Sequence, residues 1–139
     1  MTFTPLVDFS FEGKKQHISF AETLYVTDGV DCDVYTFTGD TTKDLGIIKI
    51  APSKKTPRQK VLKGDRTIEG YISGKGKLTI TKSDGKQAVY IADEKSKTPI
   101  VVTVGIGETM QWEADKDSGL VAYEICFPPY EDGRYENLK

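Results

Sequence analysis

Apolar residues along this chain come in short runs rich in β-branched and aromatic side chains, and no window repeats them at helical spacing. Leu24-Tyr25-Val26, Cys32 to Thr38, Ile47 to Ile50, Thr67 to Ile72, Lys77 to Ile80, Ala88 to Ile91 and Ile100 to Val104 each read as a strand. Asp28-Gly29, Gly39-Asp40, Lys63-Gly64-Asp65 and Ser118-Gly119 separate the runs with residues that accept positive φ or turn through their own side chains. Thr81 to Gln87, with Ser83-Asp84-Gly85 at its centre, predicts a hairpin loop. The best helical candidate, Asp93 to Lys97, has room for one turn before Thr98-Pro99 breaks it. Many short strands at close intervals predict an all-β antiparallel sandwich or barrel.

At 139 residues the expectation is one domain, 1–139, with residues 1–20 as an N-terminal arm. Phe3, Phe9, Phe11 and Phe20 punctuate that arm and are expected to pack on the barrel or on a second subunit, which makes a homodimer the expected assembly. Nineteen Lys plus Arg against twenty-one Asp plus Glu leave a net charge of −2, which offers no basis for nucleic-acid binding. No apolar stretch approaches the length of a membrane span, so no membrane partner is expected. The N-terminus lacks the basic start and apolar run of a signal peptide, and Cys32 and Cys126 form no C-x-x-C clip. A cytoplasmic protein with two free thiols is the expectation. His17 is the one histidine, which excludes any site built from several imidazoles.

Two glycine-bearing segments carry further information. Thr56 to Leu78 leads a strand into Ser73-Gly74-Lys75-Gly76, where glycine can adopt positive φ and reverse two short strands. Val104-Gly105-Ile106-Gly107 precedes the strand Glu108 to Ala114 and offers the same freedom. In order and spacing these segments resemble the first and second motifs of the cupin superfamily, the second of which reads P-x-G-x-x-H-x-x-x-N. Leu120 to Tyr130, with its Pro128-Pro129 exit, is similar to the family's last strand. The resemblance runs from Ile47 to Tyr130 (the motif-bearing barrel, 47–130) and implies a double-stranded β-helix, or jelly-roll barrel.

The departures from that pattern matter as much. Cupins that bind metal use an H-x-H pair, a Glu and a His from the second motif. Met110 stands where that last His would be, Ala114 where the Asn would be, and Gly105 replaces the proline. Anchoring the first motif on Pro57 puts Gln59 and Val61 at the H-x-H positions, whereas anchoring on Glu69 puts Lys63 and Asp65 there. Counting back from Gly76 makes Glu69 the carboxylate ligand, and counting from Gly74 lands on Thr67. Either register implies a cupin-like barrel without the family's metal, and no cofactor is expected.

Strand alternation then sorts the side chains. Thr67, Glu69 and Tyr71 share the inward face, as do Met110, Trp112 and Ala114, while Ile68, Ile72, Gln111 and Glu113 face outward. The expected ligand-contacting set is Glu69, Tyr71, Trp112, Met110 and Thr67, with Arg58 and Lys60 from a basic cluster that serves either an anionic group or only solvent. Glu69 is a candidate acid or base, or an ion-pair partner of Lys60 or Arg58. Trp112 either stacks on a ligand ring or packs in the core, and Met110 fills space left by the metal. Three functions follow: a barrel that binds a small organic ligand such as a sugar derivative; a metal-independent isomerase or epimerase using Glu69 and Tyr71; or a structural cupin whose cavity is filled by Met110 and Trp112.

Overall fold

The computed structural model describes residues 4–95 and 99–138, which form eleven strands and no helix. In chain order they are β1 (Asp8–Phe11), β2 (Lys14–Thr27), β3 (Val30–Phe37), β4 (Asp40–Ile50), β5 (Arg58–Val61) and β6 (Arg66–Thr81). The second half holds β7 (Gln87–Asp93), β8 (Val101–Val104), β9 (Thr109–Ala114), β10 (Leu120–Phe127) and β11 (Tyr135–Leu138). All pairings are antiparallel, along the path β1-β2-β3-β4-β10-β6-β9-β5-β11, with β7 and β8 also on β6.

The strand β6 holds the barrel together, because it belongs to both sheets. Its first half lies between β10 and β8, and its second half between β7 and β9. The expected chain reversal at Ser73-Gly74-Lys75-Gly76 does not occur. The backbone instead runs straight through this segment from one sheet to the other. The register against β10 slips at Ile72, with Val121 opposite Ser73 and Ala122 opposite Tyr71. Inward side chains therefore change from odd positions (Thr67, Glu69) to even ones (Leu78, Ile80). Gly74, at φ 87°, and Gly76 are needed for close approach: a β-carbon there would overlap the carbonyl oxygens of Gly119 and Glu113. In the second motif only Gly107 takes positive φ, at 88°.

Two apolar clusters flank the larger sheet. The inner one joins Val30, Ile48, Leu78, Ile80, Met110 and Trp112 inside the barrel. The outer one joins Tyr35, Leu45, Ile47, Ile68, Tyr123 and Ile125 on the opposite face. The segment expected to be an arm forms the β1–β2 hairpin over that outer face, and β2 continues to Thr27 along β3. Phe9 and Phe11 meet the Tyr123 ring edge-on at centroid distances of 5.0 and 6.4 Å, and Phe20 meets Tyr35 at 5.6 Å. These rings are thus occupied within the chain; Phe3 lies outside the described residues. Of the helical candidate, Asp93 ends β7, Glu94 and Lys95 form a turn, and residues 96–97 lie outside the described set.

Gly70 makes the outer packing possible, since a β-carbon on it would fall inside the Tyr123 ring opposite. Gly70→Ala is expected to destabilise the fold by about 1–3 kcal/mol through overpacking. A lowered urea midpoint at constant slope would show it. An unchanged midpoint would mean that Tyr123 and its phenylalanine neighbours repack freely.

Candidate functional site

The inward face of β6 meets that of β10 with Glu69 directly opposite Glu124. Two carboxylates on facing positions of adjacent strands repel one another, and here Glu69 is enclosed while Glu124 is half-buried. Glu69 is 1% exposed. Its Oε1 accepts the Trp112 indole N–H at 2.7 Å, and its Oε2 has no partner. Burial, followed by the charge of Glu124, raises the Glu69 carboxyl well above the ordinary range, against a smaller lowering by the Trp112 hydrogen bond. Burial also raises Glu124, while the Tyr135 and Cys126 hydrogen bonds oppose it. The charge of Glu124 thus disfavours ionisation of Glu69, although no hydrogen bond joins the two carboxyls.

Glu124 is the member that opens to solvent. It lines a cavity of about 720 Å³ between β2, β3, β4, β10 and the C-terminal segment. Gly46 lies opposite both Val34 and Glu124 on the ladder, and a β-carbon on it would come within 2.8 Å of the Cys32 sulfur that borders the cavity there. Asp44, one inward position along β4, has its carboxyl raised by burial and accepts the Tyr130 backbone N–H at 2.9 Å. Tyr130 stacks at a tilt on Tyr135, with centroids 5.8 Å apart. The Tyr135 hydroxyl donates to Glu124 Oε1, and it also contacts Cys126 Sγ at 3.1 Å and Thr67 Oγ1 at 3.3 Å. Leu24, Val26, Val34 and Ile48 supply apolar wall, and Gln59 and Thr56 border it.

The seven residues expected at the site separate in space, and the cavity is lined by others. Thr67 and Glu69 stand behind Glu124 and Tyr135 in the network just described. Trp112, 1% exposed, is packed opposite Leu78, so its ring faces are not available for stacking on a ligand. Met110 is buried in the same inner cluster. Together they fill one part of the barrel, while the space before Glu124 stays open. Tyr71 is half-buried and donates to the Gly74 carbonyl at 2.7 Å, away from the cavity. Arg58 and Lys60 lie in β5, where Gln59 and Val61 take the inward positions. Arg58 borders a separate recess with Lys55, Pro57 and Gln111. Glu69 finds Trp112 rather than Lys60 or Arg58 as its hydrogen-bond partner.

Glu124, Asp44 and Tyr135 are the functional candidates that the motif argument missed. A lone glutamate between Ala122 and Cys126 in an otherwise apolar strand was the available signal for the first. The two cysteines are free, and burial pushes both thiols far up, which makes them inert as nucleophiles at neutral pH. His17 is exposed on β2, opposite Asp8.

No protein-family model matches the chain, and no curated protein does. Solved structures do. An oxalate decarboxylase from Bacillus subtilis superposes with a TM-score of 0.67 at 20% identity, covering 85% of this chain and 30% of its own. The capsular polysaccharide assembling protein CapF from Staphylococcus aureus gives 0.64 at 13% identity, with coverages of 88% and 34%. The 7S globulin of Momordica charantia also gives 0.64 at 13% identity, with coverages of 85% and 34%. This chain spans about a third of each of these proteins.

The Bacillus oxalate decarboxylase carries Mn(II) centres. The donors inside this barrel do not fit such an ion. Among the described residues no three His, Cys, Asp or Glu side chains converge to hold a metal. One Glu69 oxygen is already bound to an indole N–H, and Met110 offers only a soft thioether. The β6 crossover and the two-sheet barrel around a carboxylate-floored cavity, together with these superpositions, establish that the chain adopts the cupin fold, a double-stranded β-helix.

Proposed function

We propose that the protein binds a small organic ligand in its barrel cavity, without the metal ion that many cupin barrels hold. The observation that carries this reading is the cavity of about 720 Å³, with apolar walls and a few placed polar groups. Two reduced thiols inside the barrel are compatible with a cytoplasmic setting. Val34 lies on the wall opposite Gly46, so Val34→Phe is expected to fill the space in front of Glu124. A thermal-shift screen of anionic, neutral and cationic metabolites should give a compound that stabilises the natural chain. That shift should vanish in Val34→Phe, whose own melting stays cooperative. A hit whose shift survives Val34→Phe would place binding elsewhere.

A second reading, a metal-independent isomerase or epimerase, is favoured by the Glu69–Glu124 pair, since two facing carboxyls that both hold protons more tightly than usual can serve as donor and acceptor. Glu124, which reaches the cavity, takes the place of Tyr71 in the expected pairing with Glu69. Turnover of the screened ligand that is lost in Glu124→Gln while binding persists would support it; binding without turnover leaves the first reading.

A further inference from the structure

The charge of the cavity specifies the class of ligand, an inference that deepens the ligand-binding reading and rests on it. Glu22, Asp44, Glu124, Glu131 and Asp132 all line the cavity, and none of the described residues lining it is Lys, Arg or His. The chain as a whole is nearly balanced, with nineteen basic and twenty-one acidic residues, so this is local segregation rather than overall acidity. Glu131 is paired with Lys63 at 3.2 Å. Arg134, whose charge bears on both Asp44 and Glu124, is buried and donates to the carbonyls of Arg66, Phe127 and Pro128. It makes no hydrogen bond to either carboxylate.

A second observation is independent of the lining. Glu69 Oε2, fully buried across the ladder from Glu124, has no donor. An orphaned acceptor of this kind is costly in a finished core. Glu69 does not itself line the cavity, so a cation there would act on it through space, across the ladder from Glu124, and not by contact. The walls add the third element: the Tyr130 and Tyr135 rings stand together at the cavity, and Tyr25 lines its exposed side. Aromatic faces beside carboxylates form a setting for ammonium groups. The apolar strip Leu24, Val26 and Val34 suits an alkyl chain, and the lack of a metal-binding donor set among the described residues argues against a bare ion.

We propose that the cavity binds a small organic cation, an alkylammonium compound, with its charged head at Asp44, Glu124 and the Tyr130–Tyr135 rings and its alkyl part along β2 and β3. The probes are choline and putrescine, each matched with an uncharged analogue: dimethylbutanol for choline and butanediol for putrescine. In calorimetric titrations at low salt, at least one cation is expected to bind, and its uncharged analogue to bind at least about tenfold more weakly. Glu124→Gln should weaken the cation about tenfold with the circular dichroism spectrum unchanged. If Glu124→Gln does not fold, Glu22→Gln at the exposed side should weaken it several-fold. An analogue that binds as tightly as its cation, or a cation indifferent to these substitutions, overturns the proposal. If glucuronate or butanediol binds while both cations fail, the cationic assignment is wrong and the cavity remains a ligand site. If no compound binds, both the assignment and the ligand-binding reading fall.

Discussion

Replacing Trp112 with alanine is expected to lower stability by about 3–5 kcal/mol, the largest loss from any single side chain discussed for this fold. The indole is 1% exposed and packs opposite Leu78 in the inner cluster. Among the described residues its N–H is the one hydrogen-bond donor that reaches the Glu69 carboxyl, at 2.7 Å. Alanine therefore opens a cavity and removes that donor together. Trp112→Phe separates the two effects, since it keeps most of the ring volume but leaves both Glu69 oxygens bare. Its expected loss is about 1–3 kcal/mol, the cost of a buried group without a partner. Urea unfolding followed by circular dichroism measures both variants, because the single tryptophan no longer reports by fluorescence. Equal stability of the phenylalanine variant and the natural chain would show that the indole bond contributes nothing net.

Much of the barrel was legible because strand alternation is a local property. Thr67 and Glu69 on one segment and Met110 and Trp112 on another were assigned to the interior by period-two alternation combined with the register of the cupin-like motifs. The all-β architecture followed from the same short, β-branched runs. Two kinds of information were not local. The slip at Ile72 exchanges odd for even inward positions within one continuous strand, and Gly74 marks it only ambiguously, since the same glycine serves a turn. The pairing of Glu69 with Glu124 depends on which strands become neighbours, and no spacing along the chain encodes that. For the same reason the cavity escaped the motif argument. Its walls come from β2, β3 and β4 and from Tyr130 to Tyr135, lying mostly outside the motif segments.

The Glu69–Glu124 pair has a consequence opposite in sign to that of Trp112. Stability should fall as the solution becomes alkaline, and Glu69→Gln should restore it. Both carboxyls are raised above their ordinary values in the folded chain, and Asp44 beside them is raised as well. A carboxyl that holds its proton more tightly when folded contributes stability that is fully present below its unfolded value, near 4.5 for glutamate. That contribution is lost as pH rises through the folded value. The groups that face the pair are Asp44, Arg134, Tyr135, Cys126 and the Trp112 N–H. Only Arg134 among them is a cation; its terminal nitrogens donate to carbonyls and to Thr67 Oγ1, and its buried Nε has no partner. Forcing both carboxyls to ionise therefore leaves charge buried without full compensation, which costs on the order of 3–5 kcal/mol. A glutamine side chain in place of Glu69 would keep an acceptor for Trp112 and remove one charge. Glu69→Gln should thus match the natural chain near pH 5 and exceed it by about 2–4 kcal/mol near pH 9. Melting temperatures across that range test this directly, and parallel curves for the two proteins would show that Glu69 carries no raised titration. Glu124→Gln should flatten the same curve while removing the carboxylate that faces the cavity, so the two substitutions, compared at one pH, separate what the pair does for the fold from what it does for a bound cation.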